Sequence, residues 1–328
     1  MKVIALTFGQ ATLASTQFRL AQFIDSLAEE GVFLEIFPAS EPHNWPPLSN
    51  YDLVIVQKKL LRLSLVKRVR KEAKRLIFDT DDAIWEPHDK KHFILTRLRT
   101  HSRLTAIVKA ADLCTVPNQH LSNYLTPIAK KVVIIPMALD AKTWHPAQPR
   151  PSGPLRIGWN GAPQNLIYLK TLEPVLRKIK ATNPTIEIII FCGQKPQWEQ
   201  SLDYTYKEFG PGLEGDILRL FDIGLLPLPT NSFAEGKSPI KGLQYAASGI
   251  PCVASPVGAT CEIVQHNLTG LLATSLDDWE KSLQTIIHQD ELRNKMGAQA
   301  LEMFLKDHEK KQVQKKLMLC WGELLSNL

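Results

Sequence analysis

Cysteine pairing, glycine-rich phosphate loops and long apolar runs are all missing from this chain, and each absence excludes a class of protein. The five cysteines, Cys114, Cys192, Cys252, Cys261 and Cys320, are odd in number and contain no Cys-x-x-Cys pair, which argues against a disulfide framework or a zinc knuckle. The opening stretch MKVIALTFGQATLAS has too short an apolar run for a signal peptide, and the later run VVIIPMAL is interrupted by Pro136. A cytoplasmic protein is expected. A nicotinamide-binding unit would show G-x-G-x-x-G after the first strand, where this chain has FGQATLAST, and neither GWNGAPQN nor FCGQKPQW supplies the pattern. There is no Walker motif and no Gly-x-Ser-x-Gly elbow, so P-loop ATPases and serine hydrolases gain no support. The histidines show no ligand spacing.

The chain does carry an uneven charge. Its formal net charge is +6, but residues 1–150 hold 21 Lys and Arg against 14 Asp and Glu, while the remainder is slightly acidic. The excess is densest from Lys58 to Arg75, where nine cations accompany one anion, Glu72. Such a segment reads equally as a solvated helix face or as a peripheral contact with anionic lipid at the inner face of a membrane. Nucleic acid is not expected, because no aromatics are interleaved with the cations.

Short runs rich in Val and Ile alternate with helical patterns along most of the chain. KVIALTF, FLEIFPA, DLVIVQ, RLIFDT, LCTVPN and VVIIPM predict six strands in the first half; LRIGWNG, IEIIIFCG, DIGLLPLP and PCVASP predict four more after a Pro-rich break at Asp140–Pro154. STQFRLAQFIDSLAEEG predicts one helix ending at Gly31. The alternation implies parallel sheets wrapped by helices: an α/β chain of two doubly wound Rossmann-like domains. The expected boundaries are 1–145, a linker at 146–154, a second domain at 155–306, and a final helix at 307–328. Apolar positions fade at KDHEKKQ and resume at Val313, Leu317, Cys320 and Trp321, so the last helix should break near Lys306–Gln312 and return to the first domain.

In GKSPIKGLQYAASGIPCVASPVG, Ser238 is a candidate N-cap, Pro239 fits the first helical position, and Gly249 with Pro251 signals the stop. Lys237 and Lys241 then lie at a helix start, where the dipole disfavours cations. An anion held between them would remove the conflict, and a diphosphate suits both the ammonium groups and the backbone N–H groups. Two solvated lysines with no ligand are the alternative.

The segment SPIKGLQYAASGIPCVASPVGATCEIVQHNLTGLL resembles the signature region of glycosyltransferase family 4, retaining enzymes of the GT-B fold. RLIFDTDDAIWE, VVIIPMALDAKTW, LRIGWNGAP and FDIGLLPLP are similar to further parts of the same pattern, in order. The resemblance implies two domains facing a cleft, with transfer of a sugar from a nucleotide-diphosphate donor to a carbohydrate or lipid-linked acceptor. No metal cofactor is implied. It assigns Lys237 and Lys241 to the diphosphate, and Asp81 or Asp82 to the transferred sugar or the acceptor hydroxyl. Asn160, Gly161, Gly193, Ser238, Gln244 and Glu262 are assigned to the donor, with Arg19, Asp79 and Asn118 as further cleft contacts. Two departures stand out: the family's glutamate pair is replaced by Gly236 and Gln244, and its Arg and Lys are missing from GWNGAPQNLIYLK. The loss leaves a nucleotide-sugar 2-epimerase and a non-catalytic nucleotide-sugar binding module as alternatives.

Overall fold

The computed structural model describes residues 1–86, 94–147, 153–198, 202–210 and 212–326, and within these the chain forms two compact units. The first comprises residues 1–138, 235–238 and 310–328; the second comprises 139–234 and 239–309.

The first unit is built on β1 (Lys2–Thr7), β2 (Phe33–Pro38), β3 (Leu53–Gln57), β4 (Leu76–Asp79), β5 (Leu113–Val116) and β6 (Val132–Ile134). All five pairings are parallel, in the order β2-β1-β3-β4-β5-β6. Strands β3, β4 and β5 are buried at every residue, as expected of parallel strands covered on both faces. The order reverses direction between β1 and β3, and the crevice beyond the carboxyl ends of strands at such a reversal is where open α/β sheets bind ligands.

The second unit repeats the plan with β7 (Arg156–Gly161), β8 (Glu187–Cys192), β9 (Thr205–Glu208), β10 (Ile223–Leu226), β11 (Cys252–Ala254) and β12 (Gly270–Leu272), ordered β12-β11-β10-β7-β8-β9 and again all parallel. Its reversal lies between β7 and β10. The Thr-Gly-Leu-Leu stretch contributes the parallel edge strand β12, paired with β11 from Cys252–Gly270 to Ala254–Leu272. β9, TYKE, has no buried residue and so no apolar run to announce it.

Two boundaries differ from expectation. The unit boundary falls between Ala138 and Leu139, ahead of the Pro-rich segment, of which residues 148–152 lie outside the described residues. The first helical stretch divides into Ala14–Arg19, a 3-10 turn at Ala21–Phe23, and Ile24–Glu29, because Leu20 leaves helical geometry at φ −137°. The last helix breaks at His308 and Glu309, between Asp290–Asp307 and Lys310–Ser326. There the chain changes unit: Val313, Leu317, Cys320 and Trp321 join Val3, Ala5, Phe23 and Leu27 in one apolar cluster of the first unit.

Trp321 is 1% exposed, so its removal leaves a cavity under β1 and β3. Trp321→Ala is expected to cost about 3–5 kcal/mol of stability. Urea unfolding of the full chain should show the loss in the transition that reports the first unit, with the second unit's transition unmoved.

Candidate functional site

Each unit gathers polar side chains at the carboxyl edge of its own sheet. In the first unit, β3 ends at Gln57, and Lys58 follows with φ +54°, a left-handed conformation rare for a residue with a side chain. That turn is held by its N–H, which donates to the Asp79 carbonyl at 2.7 Å, and it aims the ammonium at the loop after β4. Lys58 Nζ lies 3.2 Å from Asp81 Oδ1 and pairs closely with Asp82. Ser15, following β1, donates to Asp81 Oδ2 at 2.5 Å and accepts from Gln57 Nε2 at 3.2 Å. Side chains from the ends of β1, β3 and β4 therefore meet at the reversal point. Burial and the adjacent Asp81 charge raise the Asp82 carboxyl above its ordinary range, against the pull of Lys58 and Lys237. Burial works to lower the Lys58 pKa, but the two aspartates outweigh it and the net shift is upward.

Lys237 belongs to this cluster. Burial holds its ammonium below the ordinary lysine range, with repulsion from Lys58 adding to the effect and attraction to Asp82 opposing it. Ser238 does not cap the helix that follows: its hydroxyl donates to the Asp81 carbonyl at 2.7 Å, and the helix begins at Ile240 with Pro239 at the N-cap. Pro239 is thus one position earlier than the sequence pattern places it, because Ser238 is committed to the β4 loop. Gly236 has an equally local explanation. A Cβ there would stand 2.5 Å from the Ala83 Cβ and 3.2 Å from Leu121, so no side chain fits where the family pattern has glutamate.

Arg19 and Asp79, expected as cleft contacts, are structural. Arg19 is 5% exposed and pairs with Asp79 through Nε, at 3.2 Å, and Nη2, while Nη1 donates to the Ile135 carbonyl at 2.6 Å. Asp79 also accepts from Thr115 at 2.7 Å. Buried and bonded to each other and to the backbone after β6, the pair holds the scaffold together. Asn118 is the N-cap of helix Gln119–Leu125, accepting from Leu121 N at 2.9 Å, and its buried Nδ2 has no hydrogen-bond partner among the described residues. Its role is likewise local.

The basic segment loses much of its apparent excess. Lys58 pairs with Asp81 and Asp82, Arg68 with Glu72, Arg70 with Asp112 and Lys74 with Asp52. All but Glu72 are distant in sequence, so counting charges along the chain missed them.

In the second unit the reversal between β7 and β10 carries the remaining candidates. Lys241, in the first turn of helix Ile240–Ala247, stacks its ammonium 4.8 Å from the centre of the buried Trp159 ring. Gly161 makes room: a Cβ there would meet the Trp159 ring at 2.3 Å and Lys241 Nζ at 2.6 Å. Asn160 Nδ2 donates to Gln244 Oε1 at 2.9 Å, while the buried Asn160 Oδ1 has no partner among the described residues. Neutral Gln244 suits this position, since it can accept from Asn160 and still offer an amide N–H. Gly193, just past β8, is open: a Cβ would only touch Pro163 at 3.6 Å. Glu262 is exposed on the short helix Thr260–Ile263. The helix carrying Lys241 closes with a Schellman motif, in which Gly249 at φ +66° lets Gly249 N reach Ala246 O and Ile250 N reach Tyr245 O.

A cavity of about 760 Å³ lies elsewhere: its walls include Leu155, Ile186, Asp222 and Pro251, which precede their strands, so it opens at the amino edge of the second sheet. Among the described residues no group of three or more His, Cys, Asp or Glu is placed to hold a metal ion, and no helix is long and apolar enough to cross a membrane.

Solved structures share this architecture. Sucrose-phosphate synthase from Thermosynechococcus elongatus matches with a TM-score of 0.74 and 14% identity, all of both chains being covered. HepE from Anabaena, in complex with UDP and glucose, matches at 0.66 and 15% over all of this chain and 99% of its own. A glycosyltransferase from Rickettsia africae ESF-5 matches at 0.67 and 10% over all of this chain and 99% of its own. At these identities the likeness is one of fold, and the fold is GT-B, with two Rossmann-like units. Residues 168–289, all in the second unit except 235–238, match the family model described as glycosyl transferases group 1. No curated protein matches in sequence.

Two outcomes test the first-unit cluster. Gly236→Ala should cost about 1–3 kcal/mol, the range for forcing a methyl into a filled space, read by thermal or urea unfolding. The depressed Lys237 pKa means the folded chain holds its proton less tightly than the unfolded chain. Below the folded value both states are protonated and the cost of the buried charge is fully present; it is relieved as pH rises toward the ordinary lysine value. Wild type should therefore gain stability relative to Lys237→Met between neutral pH and about pH 10, measured as the difference in urea midpoints across that window.

Proposed function

We propose that this protein transfers a sugar from a nucleotide-diphosphate donor to an acceptor hydroxyl with retention of anomeric configuration. The observation that carries the reading is the helix start that bears Lys241, inside the segment that matches the group 1 family model, standing at the sheet reversal beside β7. Lys241 is held there over Trp159, with Gly161 leaving room for both side chains. Backbone N–H groups of that first turn and the ammonium together suit a diphosphate. The complex of HepE with UDP-glucose supports a nucleotide sugar as the donor class.

In the reaction the bond between the anomeric carbon and the diphosphate oxygen breaks, and a bond from that carbon to the acceptor oxygen forms on the same face. The leaving diphosphate gains negative charge, which Lys241 and the helix N-terminus stabilise more in the transition state than in the ground state. The proton of the acceptor hydroxyl passes to the departing phosphate oxygen. Asn160 and Gln244 hold the nucleoside part through hydrogen bonds, with Gly193 giving close backbone approach. Glu262 stands as a further donor contact on the exposed helix start. In the first unit, Asp82 orients the acceptor hydroxyl, and Lys58 and Lys237 keep its carboxylate charged when needed. The diphosphate is assigned to Lys241, which stands in the first turn of the helix over Trp159. No metal is required where ammonium and backbone dipoles carry the leaving-group charge. Peripheral membrane contact through Lys58–Arg75 is not part of this reading, given the ion pairs already formed there.

A panel of radiolabelled nucleotide sugars tests the reading. Sugar transfer, or slow donor hydrolysis without acceptor, is expected, with the anomeric configuration of the product read by NMR. Isomerised donor, or binding with no turnover at any acceptor, would overturn it. Lys241→Ala should lower turnover by roughly 10²-fold, the scale for losing one preorganised charge-stabilising group, while circular dichroism stays unchanged.

A further inference from the structure

Three residues after Asp82 the same loop presents Trp85, whose ring stacks on Tyr124 with centroids 4.2 Å apart and planes 13° from parallel. Both rings are half-buried against the first unit's core, and they form part of the wall of a cavity of about 370 Å³. The rest of the lining is Glu86, Arg97, Leu98 and His101. This combination is unusual for a surface that merely faces water. An aromatic pair packed on itself leaves the outer face and edges of its rings for a ligand, and Leu98, 62% exposed, extends the apolar floor. Around that floor stand a carboxylate, a guanidinium and an imidazole, which between them donate and accept hydrogen bonds.

The chemistry selects among occupants. A phosphate or other anion would meet the Glu86 carboxylate in the cavity wall. An acyl chain would offer no hydrogen bond to the Arg97 and His101 side chains that line the cavity. A sugar ring satisfies both halves of the lining: its C–H face carries slight positive charge and packs on the negative face of an aromatic ring, while its hydroxyls exchange hydrogen bonds with planar polar groups. The volume is in the range of small-molecule sites, sufficient for one or two hexose units.

We propose that the Trp85–Tyr124 platform is a carbohydrate subsite that holds the acceptor, with Glu86, Arg97 and His101 as its hydroxyl partners, so that the acceptor is a glycan rather than a lipid or a phosphorylated metabolite. The assignment rests on the transferase reading above. It makes Trp85 and Tyr124 positioning residues for the acceptor, with no part in donor chemistry.

The test separates the two. With the full chain, Tyr124→Ala and Trp85→Leu should each raise the acceptor KM by 10-fold or more, while donor hydrolysis in the absence of acceptor stays at the wild-type rate. Trp85→Phe, which keeps a flat ring, should restore most of the acceptor affinity. Binding is read independently of turnover by titrating the wild-type chain with neutral hexose oligosaccharides and following tryptophan fluorescence, the change being lost in Trp85→Phe because that reporter is gone. Wild-type acceptor KM in Tyr124→Ala, or an acceptor that proves to lack any sugar, would overturn the subsite even where transferase activity is present. If no nucleotide sugar is consumed but oligosaccharides still bind at Trp85, the subsite stands and the transferase reading falls. Should Tyr124→Ala fold poorly, Arg97→Met and His101→Phe, both at exposed positions, replace it, with the same KM increase expected and wild-type KM in both counting against the proposal.

Discussion

The first unit's polar edge depends on one buried contact, the ion pair of Arg19 with Asp79. Arg19 comes from the helix after β1, Asp79 ends β4, Thr115 donates from β5, and the Ile135 carbonyl follows β6. One guanidinium therefore fixes four segments of the chain at a single point. A buried pair of this kind adds little net stability compared with apolar packing, yet losing one partner costs several kcal/mol because the other charge remains buried. Its value is positional. Because Asp79 is held, the Asp79 carbonyl can accept from Lys58, and the loop that follows presents Asp81 and Asp82 rather than collapsing onto the sheet.

What stands on that anchor is a charge-balanced group. Lys58 and Lys237 face Asp81 and Asp82, two of each sign, all partly or fully buried. The balance is uneven within the group: Lys58 is drawn upward in pKa, Lys237 downward and Asp82 upward. Asp82 and Lys237 are thus the members whose protonation is least firmly held. Divergent pKa values in neighbouring groups mark places where protons or charged ligands can be exchanged at modest cost. Asp81, by contrast, receives Ser15 and keeps its carbonyl occupied by Ser238, so it supports the loop, while Asp82, the more exposed of the two, pairs with Lys58.

Much of this fold was legible because parallel strands buried on both faces write themselves as unbroken apolar runs. LVIVQ, LIFD, EIIIFC and IGLL are such runs, and each became a strand. TYKE did not register because an exposed edge strand needs no apolar residue. The late return of the chain was also legible, since Val313, Leu317, Cys320 and Trp321 form an apolar stripe that had to be covered somewhere. The site was harder to read. Asp81, Asp82, Lys237 and Lys241 could be singled out as charges at strand or helix ends, but Lys58 was absorbed into a basic run. Its left-handed backbone and its two carboxylate partners, more than twenty residues away, are invisible to local pattern. Arg19 and Asn118 were expected at the cleft; in the fold Arg19 pairs with Asp79, far away in sequence, and Asn118 Oδ1 caps its own helix.

The replacement of the family's glutamates can now be understood residue by residue. At position 236 the backbone passes so close to Ala83 that a side chain is excluded, so the glycine is a packing requirement of the first unit. At position 244 the requirement is electrostatic. Asn160 presents an amide N–H to a residue that is only 7% exposed, and a glutamate there would bury a full charge against one neutral donor. Glutamine accepts the same hydrogen bond without that cost. Its remaining N–H groups can donate to a hydroxyl or a carbonyl, where a carboxylate could only accept. If the second unit holds a nucleoside, this exchange reverses the polarity of one contact with it, and the two cations missing after β7 are replaced in part by Lys241, pinned over Trp159 from the neighbouring helix. The departures from the pattern are then a single rearrangement: less negative charge at the ribose side, and fewer cations at the phosphate side, one of them supplied from a different element.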